Sequence, residues 1–343
     1  MLGKILESLY QKVFINIIRQ RSDTVVYVHN YSKKGDLSHY EEVFQTTTPS
    51  QEMIEYINSF TKESPYYYIT VLDTSAQQGA LPSCKKNLLQ SYEDLTTSEY
   101  KCINKEWTVY TSKTDLYTLE KEFGDVGIDF VFSPFILLAT FFADKINNTL
   151  AMYALIIDSS VSVMVFDSGR LLFAEHVAML VLDEHENIIL EEAQEDVALD
   201  LDDDIDLETI DVDDNIDDLE GFSYIENLDT IEDIDEFSQG EDLEEELYEN
   251  EAQEKGTEEE TNDNSHFNED YQRFSMIQDA INHFYKDERY ESNFLENIYI
   301  ADYTHVSNDL KRYLEDEMFL NVYIRSIDIG SELYSLAKKE LGL

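Results

Sequence analysis

The chain has 343 residues, 43% of them hydrophobic, and a formal net charge of −50 at pH 7. Its length and apolar content suffice for one large domain or two lobes with a real core. More than half of the acidic residues crowd between Asp183 and Asp270, where Lys255 is the single base; the remainder is mildly acidic and has no basic stripe to neutralise phosphates, which excludes direct nucleic-acid binding.

Met1 to Val13 lacks the sustained apolar core and small-residue cleavage site of a secretory signal. Its Leu2, Ile5, Leu6, Leu9 and Val13 instead share one helical face. Three strand-like runs follow, "VFINII", "TVVYVHNYS" and "SHYEEVFQT", divided by turns at Arg19–Asp23 and Lys33–Asp36. Pro49, Ser50 and Gln51 open a helix over "MIEYINSF", and "YYYITVLD" is a strand dense in aromatic and β-branched residues. The stretch from Thr74 to Asn104 reads as a polar loop before the short strand "WTVYTS". "TDLYTLEKEFG" reads as a helix closed by Gly124, "DFVFS" as a strand and "FILLATFFADKI" as a helix. The most apolar segment, "FVFSPFILLATFF" at 130–142, is short for a bilayer and holds Pro134, so no direct membrane span and a soluble cytoplasmic chain are expected. Cys84 and Cys102 form no metal pattern and read as two free thiols suited to a reducing cytosol.

At Ala151 the pattern restarts, with three strands from Met152 to about Leu182. After the acidic tract come a helix at 274–287, a strand at 297–301, a helix at 307–317, a strand at 321–326 and a closing helix. Each half is a three-strand meander followed by alternating helix and strand. The fold class expected is therefore two-lobed α/β, with antiparallel meander strands and parallel crossover strands covered by helices. The first lobe is assigned to 1–150 and the second to 151–183 plus 270–343. The insert at 184–269 alternates acids with Leu, Ile, Val and Phe; its like charges and small side chains predict disorder. Such a tract suits docking onto a basic apolar groove of a partner. An EF-hand calcium loop is a weaker fit, because "DLDDDIDLETID" lacks the glycine and the ligand order.

The stretch "ALIIDSSVSVMVFDSGRLLFAEHV", residues 154–177, reads as strand, tight turn, strand, tight turn, strand. With the duplication and the closing helix–strand–helix–strand, it resembles the actin-like (RNase H-like) ATPase fold. Within that superfamily the chain is similar to the PilM-type pilus-assembly proteins and to the cytoplasmic domains of type II secretion L-type proteins. The resemblance covers residues 1–183 and 270–343.

The resemblance implies a nucleotide site of three elements. The first phosphate loop spans Asn16 to Thr24, with Asn16 near the expected aspartate and Arg19, Arg21, Ser22 and Asp23 in a turn without glycine. Two arginines there reach toward a phosphate or simply line a solvated turn. The second loop keeps Asp158, but Ser159 and Ser160 replace a small residue and glycine, and serine is poorer than glycine at positive φ. At the adenosine junction "IADYTHVSNDL", Tyr303, Thr304 and His305 fill the space a purine needs, and Ser307 is a helix N-cap. These are vestigial loops: no cofactor is expected, with ATP and magnesium as the alternative. Elsewhere, His176 and His283 read as packing or surface residues rather than metal ligands, and Asp73, at a strand end, as a turn former.

The resemblance implies a non-catalytic cytoplasmic scaffold of a type IV pilus, type II secretion or DNA-uptake machine. Such a scaffold lies peripheral to the inner membrane by binding a short cytoplasmic peptide of a bitopic membrane partner. Tyr66, Tyr67, Tyr68, Trp107 and Tyr110 are aromatic anchors for such a peptide. The alternatives are a divergent ATP-binding ATPase or kinase-like enzyme, and, more distantly, an acidic partner-mimicking protein.

Overall fold

Three β-branched runs separated by polar turns form a meander: β1 (Lys12–Arg19), β2 (Thr24–Ser32) and β3 (Gly35–Phe44). The computed structural model describes residues 10–32, 35–179, 260–289, 293–304 and 308–343. All of them belong to one unit, Met1–Val181 with Glu258–Leu343. The helix expected over the first thirteen residues lies mostly outside the described residues, and its end is strand: Lys12 and Val13 belong to β1 and are buried.

Ser50 then caps α1 (Gln51–Thr61) by accepting a hydrogen bond from the Met53 amide. The chain returns through β4 (Tyr67–Leu72), which pairs parallel with β1. Where a polar loop was expected, the structure has β5 (Gln78–Leu81), α2 (Lys86–Tyr92) and β6 (Ser98–Ile103). Both strands flank β7 (Trp107–Ser112) in a separate three-stranded antiparallel sheet. The run "SEYKCI" gave no apolar alternation because β6 is an exposed edge strand held by its backbone pairing. That pairing also corrects the reading of the cysteines. Cys84 and Cys102 are joined by a disulfide, because β7 carries Trp107 and Thr108 between them and Thr108 Oγ1 donates to Ser83 O at 2.7 Å. The cysteines therefore no longer argue for a reducing compartment.

Next come α3 (Lys113–Glu122), β8 (Phe130–Phe132) and α4 (Pro134–Phe141), the last capped by Ser133 with proline at its first position. The left-handed glycine after α3 is Gly127, at φ 79°, rather than Gly124. The second meander is β9 (Ala151–Ile157), β10 (Ser160–Asp167) and β11 (Arg170–Ala178). After it, α5 runs Glu260–Lys286, so helix begins well inside the segment that acidic composition assigned to the insert. The rest of that insert, with its expected disorder, lies outside the described residues. β12 (Asn297–Asp302), α6 (Asn308–Asp316), β13 (Asn321–Ser326) and α7 (Ile329–Glu340) complete the chain.

The sheet orders are β3-β2-β1-β4-β8 and β11-β10-β9-β12-β13, the same topology twice. In each, the meander is antiparallel and the last two strands join in parallel. This duplicated order is the two-lobed actin-like architecture. Each sheet buries both faces. The outer face of the first packs Ile15, Ile17 and Val26 on Met53 and Ile57 of α1 and on Leu119 of α3. That of the second packs Ala154, Ile156 and Ile300 on α5 and α6 through Ile277, Phe284 and Leu310. The inner faces share one core with α4 and α7, in which Phe14, Tyr153 and Phe166 meet Phe135, Leu138 and Leu333. Burying an aromatic or leucine side chain this fully stabilises by about 1.5–3 kcal/mol, so the shared core holds the two sheets together.

Candidate functional site

The candidate site is the cleft where the turn after β1, the turn after β9 and the end of β12 converge. A turn of four residues, with Gln20 N donating to Asp23 O at 2.8 Å, joins β1 to β2. Asp158 and Ser159 join β9 to β10 with Ser160 already paired to Ile157, and neither serine takes a positive φ. The next hairpin is different: Ser168 at φ 49° and Gly169 at φ 86° give it the left-handed pair that tight hairpins favour.

The two turns touch each other. Arg21 N donates to Asp158 Oδ2 at 3.1 Å, and Arg21 Nη2 donates to Asp158 O at 3.2 Å. Its guanidinium also reaches Met179 Sδ and lies 3.6 Å from Glu269 of α5. The backbone amide that a phosphate would need is thus already bound to a carboxylate. Gln20 and Tyr27 close the cleft again through the Tyr303 hydroxyl, each at 3.0 Å. Burial, and then the bond to Tyr303, push the Tyr27 hydroxyl up.

The remaining predicted residues disperse. Arg19 turns away to Glu122 at 2.8 Å, and Ser22 is exposed beside Asp23. Asn16 is fully buried on β1, its Nδ2 donating to Gly330 O at 3.2 Å. Asn16 Oδ1, Thr70 Oγ1 and Ser160 Oγ are buried without a hydrogen-bond partner. Ser159 contributes its carbonyl, which accepts from Met179 N. Thr304 turns on Asp302 through its amide and hydroxyl; His305 and Ser307 lie outside the described residues.

Beyond these contacts the cleft opens into a cavity of about 600 Å³ lined by Glu41, Asp158 and Asp328, with His29 and His39 stacked at 6.0 Å. Among the described residues, no lysine or arginine lines it. Burial, and then the nearby Asp158, hold the Asp23 carboxyl above its usual range. A bare triphosphate would face carboxylates here and find the Arg21 amide taken, although carboxylates are also the oxygen donors that magnesium takes. Sequence reasoning placed Tyr303 at the junction but missed its bonds to Gln20 and Tyr27, and it missed Gly330 as the partner of Asn16. The signal for Tyr303 was a bulky residue directly after the β12 run.

Other candidates also resolve. Asp73 accepts from Ser75 N at 3.0 Å, the turn role expected of it, while its Oδ2 is buried without a partner. His176 Nδ1 lies 2.8 Å from Ser162 Oγ, and burial lowers its pKa to about 4 against an opposing pull from Asp73. His283 is exposed beside Glu175. No group of three or more metal-ligating side chains occurs among the described residues. Nor is any described helix long and apolar enough to cross a membrane.

Fold and cleft together define a two-lobed actin-like protein in which the first turns of the two meanders bind each other. The chain belongs to the family described as a domain of unknown function, DUF8341, which matches residues 152–342. A second domain of unknown function, DUF8569, matches residues 10–139. No curated protein matches the chain. Among solved structures it is similar to a PilM–PilN type IV pilus biogenesis complex, at 9% identity over 91% of this chain and 87% of that one, with a TM-score of 0.47. A protein of actin-like ATPase fold and unknown function from Bacteroides thetaiotaomicron matches at 15% identity over 53% of this chain and 76% of that one, TM-score 0.34. The ethanolamine utilization protein EutJ from Carboxydothermus hydrogenoformans matches at 7% identity over 91% and 84%, TM-score 0.35.

Proposed function

We propose that this chain is a non-catalytic scaffold of a pilus, type II secretion or DNA-uptake machine. In this reading it sits at the cytoplasmic face of the inner membrane by holding a short peptide of a bitopic partner. The observation that supports the non-catalytic part is the Arg21 amide bound to Asp158, which takes one backbone donor away from the cleft. The peptide part is supported by a groove of about 390 Å³ between β6, β7, α3 and β8. Its lining is apolar through Val109, Leu116 and Phe132, and carries Glu99, Glu120 and Asp129 against the single base Lys101. An apolar segment with a basic residue would complement both. Tyr110 lines this groove, whereas Trp107 is buried against Phe166 at 6.4 Å and is no surface anchor. The acidic tract adds a second, charge-guided contact to a basic partner.

Two measurements test the reading. Calorimetry with ATP and magnesium should show no binding; a Kd of about 1–10 μM would restore the enzyme alternative. Cell fractionation should find the chain with membranes only when bitopic pilus or secretion proteins are present. Salt-resistant sedimentation in their absence would overturn recruitment. Excising residues 185–257 separates the acidic-mimic reading, since a scaffold keeps its membrane partner without them. The excision must stop ahead of Glu260, where α5 begins.

A further inference from the structure

β13 is the last strand of its sheet, and every residue of it except Val322 is exposed. Other sheet edges are protected in ways this one is not. β3 carries Glu41 and Glu42, β6 carries Glu99 and Lys101, β8 has only three residues, and β11 lies against β5. β13 has no proline and a single charge, Arg325, whose guanidinium is turned onto Phe141 and Phe142 at 5.4 and 5.3 Å and toward Asp144.

Side chains along this edge are also unfinished. Tyr153, Tyr299 and Tyr323 are paired in register across β9, β12 and β13, and their rings stack at 5.3 and 4.9 Å. The ladder ends on Tyr323, which is 50% exposed, next to Ile324 at 39%. At the amino end of the same two strands stand Phe294, 68% exposed, and Phe319, 80% exposed and held at φ 55°. A non-glycine residue at positive φ is uncommon, and here it accompanies a phenyl ring directed to solvent. Exposed Glu296, Glu315, Asp316 and Glu317 surround these two phenylalanines in sequence.

We propose that β13 and the loops at its amino end are a strand-addition surface for an extended segment of another protein that alternates aromatic or aliphatic with basic side chains. The added strand satisfies the outer backbone groups of β13, places an aromatic ring on Tyr323, and sets its basic residues against the carboxylates near Phe294 and Phe319. A second copy of this chain is the wrong occupant, because a net charge of −50 opposes self-association. An anionic lipid surface is repelled by the same carboxylates. The surface meets the cleft at Ser326, the last residue of β13, and shares no residue with the groove at β6 and β7.

The test uses the full chain and a short synthetic peptide alternating arginine with tyrosine and isoleucine. We expect binding with a Kd of about 1–100 μM, with hydrogen-exchange protection gained at residues 321–326. An analogue N-methylated along one edge, or one with glutamate for arginine, should bind at least about tenfold more weakly. Tyr323→Ala and Ile324→Lys, both at exposed positions, should weaken binding while the thermal transition is kept. Failure of the peptide to bind, equal binding of the N-methylated analogue, or protection located elsewhere overturns the proposal. Concentration-dependent dimerisation blocked by Ile324→Lys would reassign the edge to a second copy. Flotation with phosphatidylserine vesicles would reassign it to lipid.

Discussion

Arg21 and Asp158, each in the first turn of its own sheet, hold one another through a backbone amide and a carboxylate 3.1 Å apart. In a two-lobed fold whose turns face across a cleft, this contact joins the two turns directly. Truncation should separate its parts. Asp158→Ala leaves the Arg21 amide without its acceptor, and a lost bond to a charged group is worth about 1.5–3 kcal/mol. Arg21→Ala keeps the backbone amide and removes only the guanidinium contacts, which are partly exposed and worth about 1 kcal/mol or less. Urea unfolding should therefore rank the Asp158 variant as the less stable. The reverse order would show that the guanidinium, rather than the amide, closes the cleft.

The disulfide makes a second prediction. Cys84 and Cys102 are 18 residues apart in sequence, and closing a loop of that size stabilises by about 3 kcal/mol in the chain-entropy account. The oxidised chain should show no thiol reactive toward Ellman's reagent, and Cys102→Ser should lower unfolding stability by about 2–3 kcal/mol. Two titratable thiols in the chain purified without reductant would refute the pairing.

Both meanders could be read from residue order alone, because β-branched runs broken by Asp, Ser and Gly have few other solutions. The helices at 51, 113 and 134 carried their own start signals in Ser50, Ser112 and Ser133. What escaped was held by non-local partners. β5, with the unremarkable sequence "QGAL", is a strand because β7 pairs with it. The first residues of α5 are acidic and lack an apolar face, so composition placed them with the tract. At the cleft, Asp158 was placed correctly at the turn, whereas the loop assigned from Asn16 begins only at Gln20 because β1 runs on to Arg19. Sequence could not reveal that Gly330 and Arg21 would bind Asn16 and Asp158. Those partners are 314 and 137 residues distant.

Gly330 supplies a third prediction. It opens α7, and a Cβ there would lie 2.5 Å from the Tyr27 ring, while its carbonyl accepts from Asn16. Gly330→Ala must push either the helix or the ring, at a cost of about 1–3 kcal/mol. Because α7 crosses between the sheets, with Tyr334 stacked on His29 at 4.6 Å, this strain should also perturb the cleft. Near-ultraviolet circular dichroism should change with the melting temperature. An unchanged melting temperature would mean that α7 does not pack this closely on β2.

His176 gives the stability of the fold a dependence on mildly acidic pH. The ring is buried on the inner face of β11, bonded to Ser162 and edge-on to Phe135 at 6.4 Å. Burial favours the neutral form and lowers the pKa from 6.5 to about 4; Asp73 pulls the other way without prevailing. Between those values the unfolded chain binds a proton that the folded chain refuses. The histidine's contribution is therefore complete above pH 6.5 and is lost as pH falls toward 4. The loss from pH 7 to pH 5 should be about 2 kcal/mol, and the full shift corresponds to about 3 kcal/mol. His176→Gln removes the titrating group, so the test is the slope of stability against pH, not its level. The natural chain should lose about 2 kcal/mol more than the variant over that interval. Equal slopes would mean that His176 titrates near its ordinary value, with its ring reached by water or its charge held by Asp73 across the core.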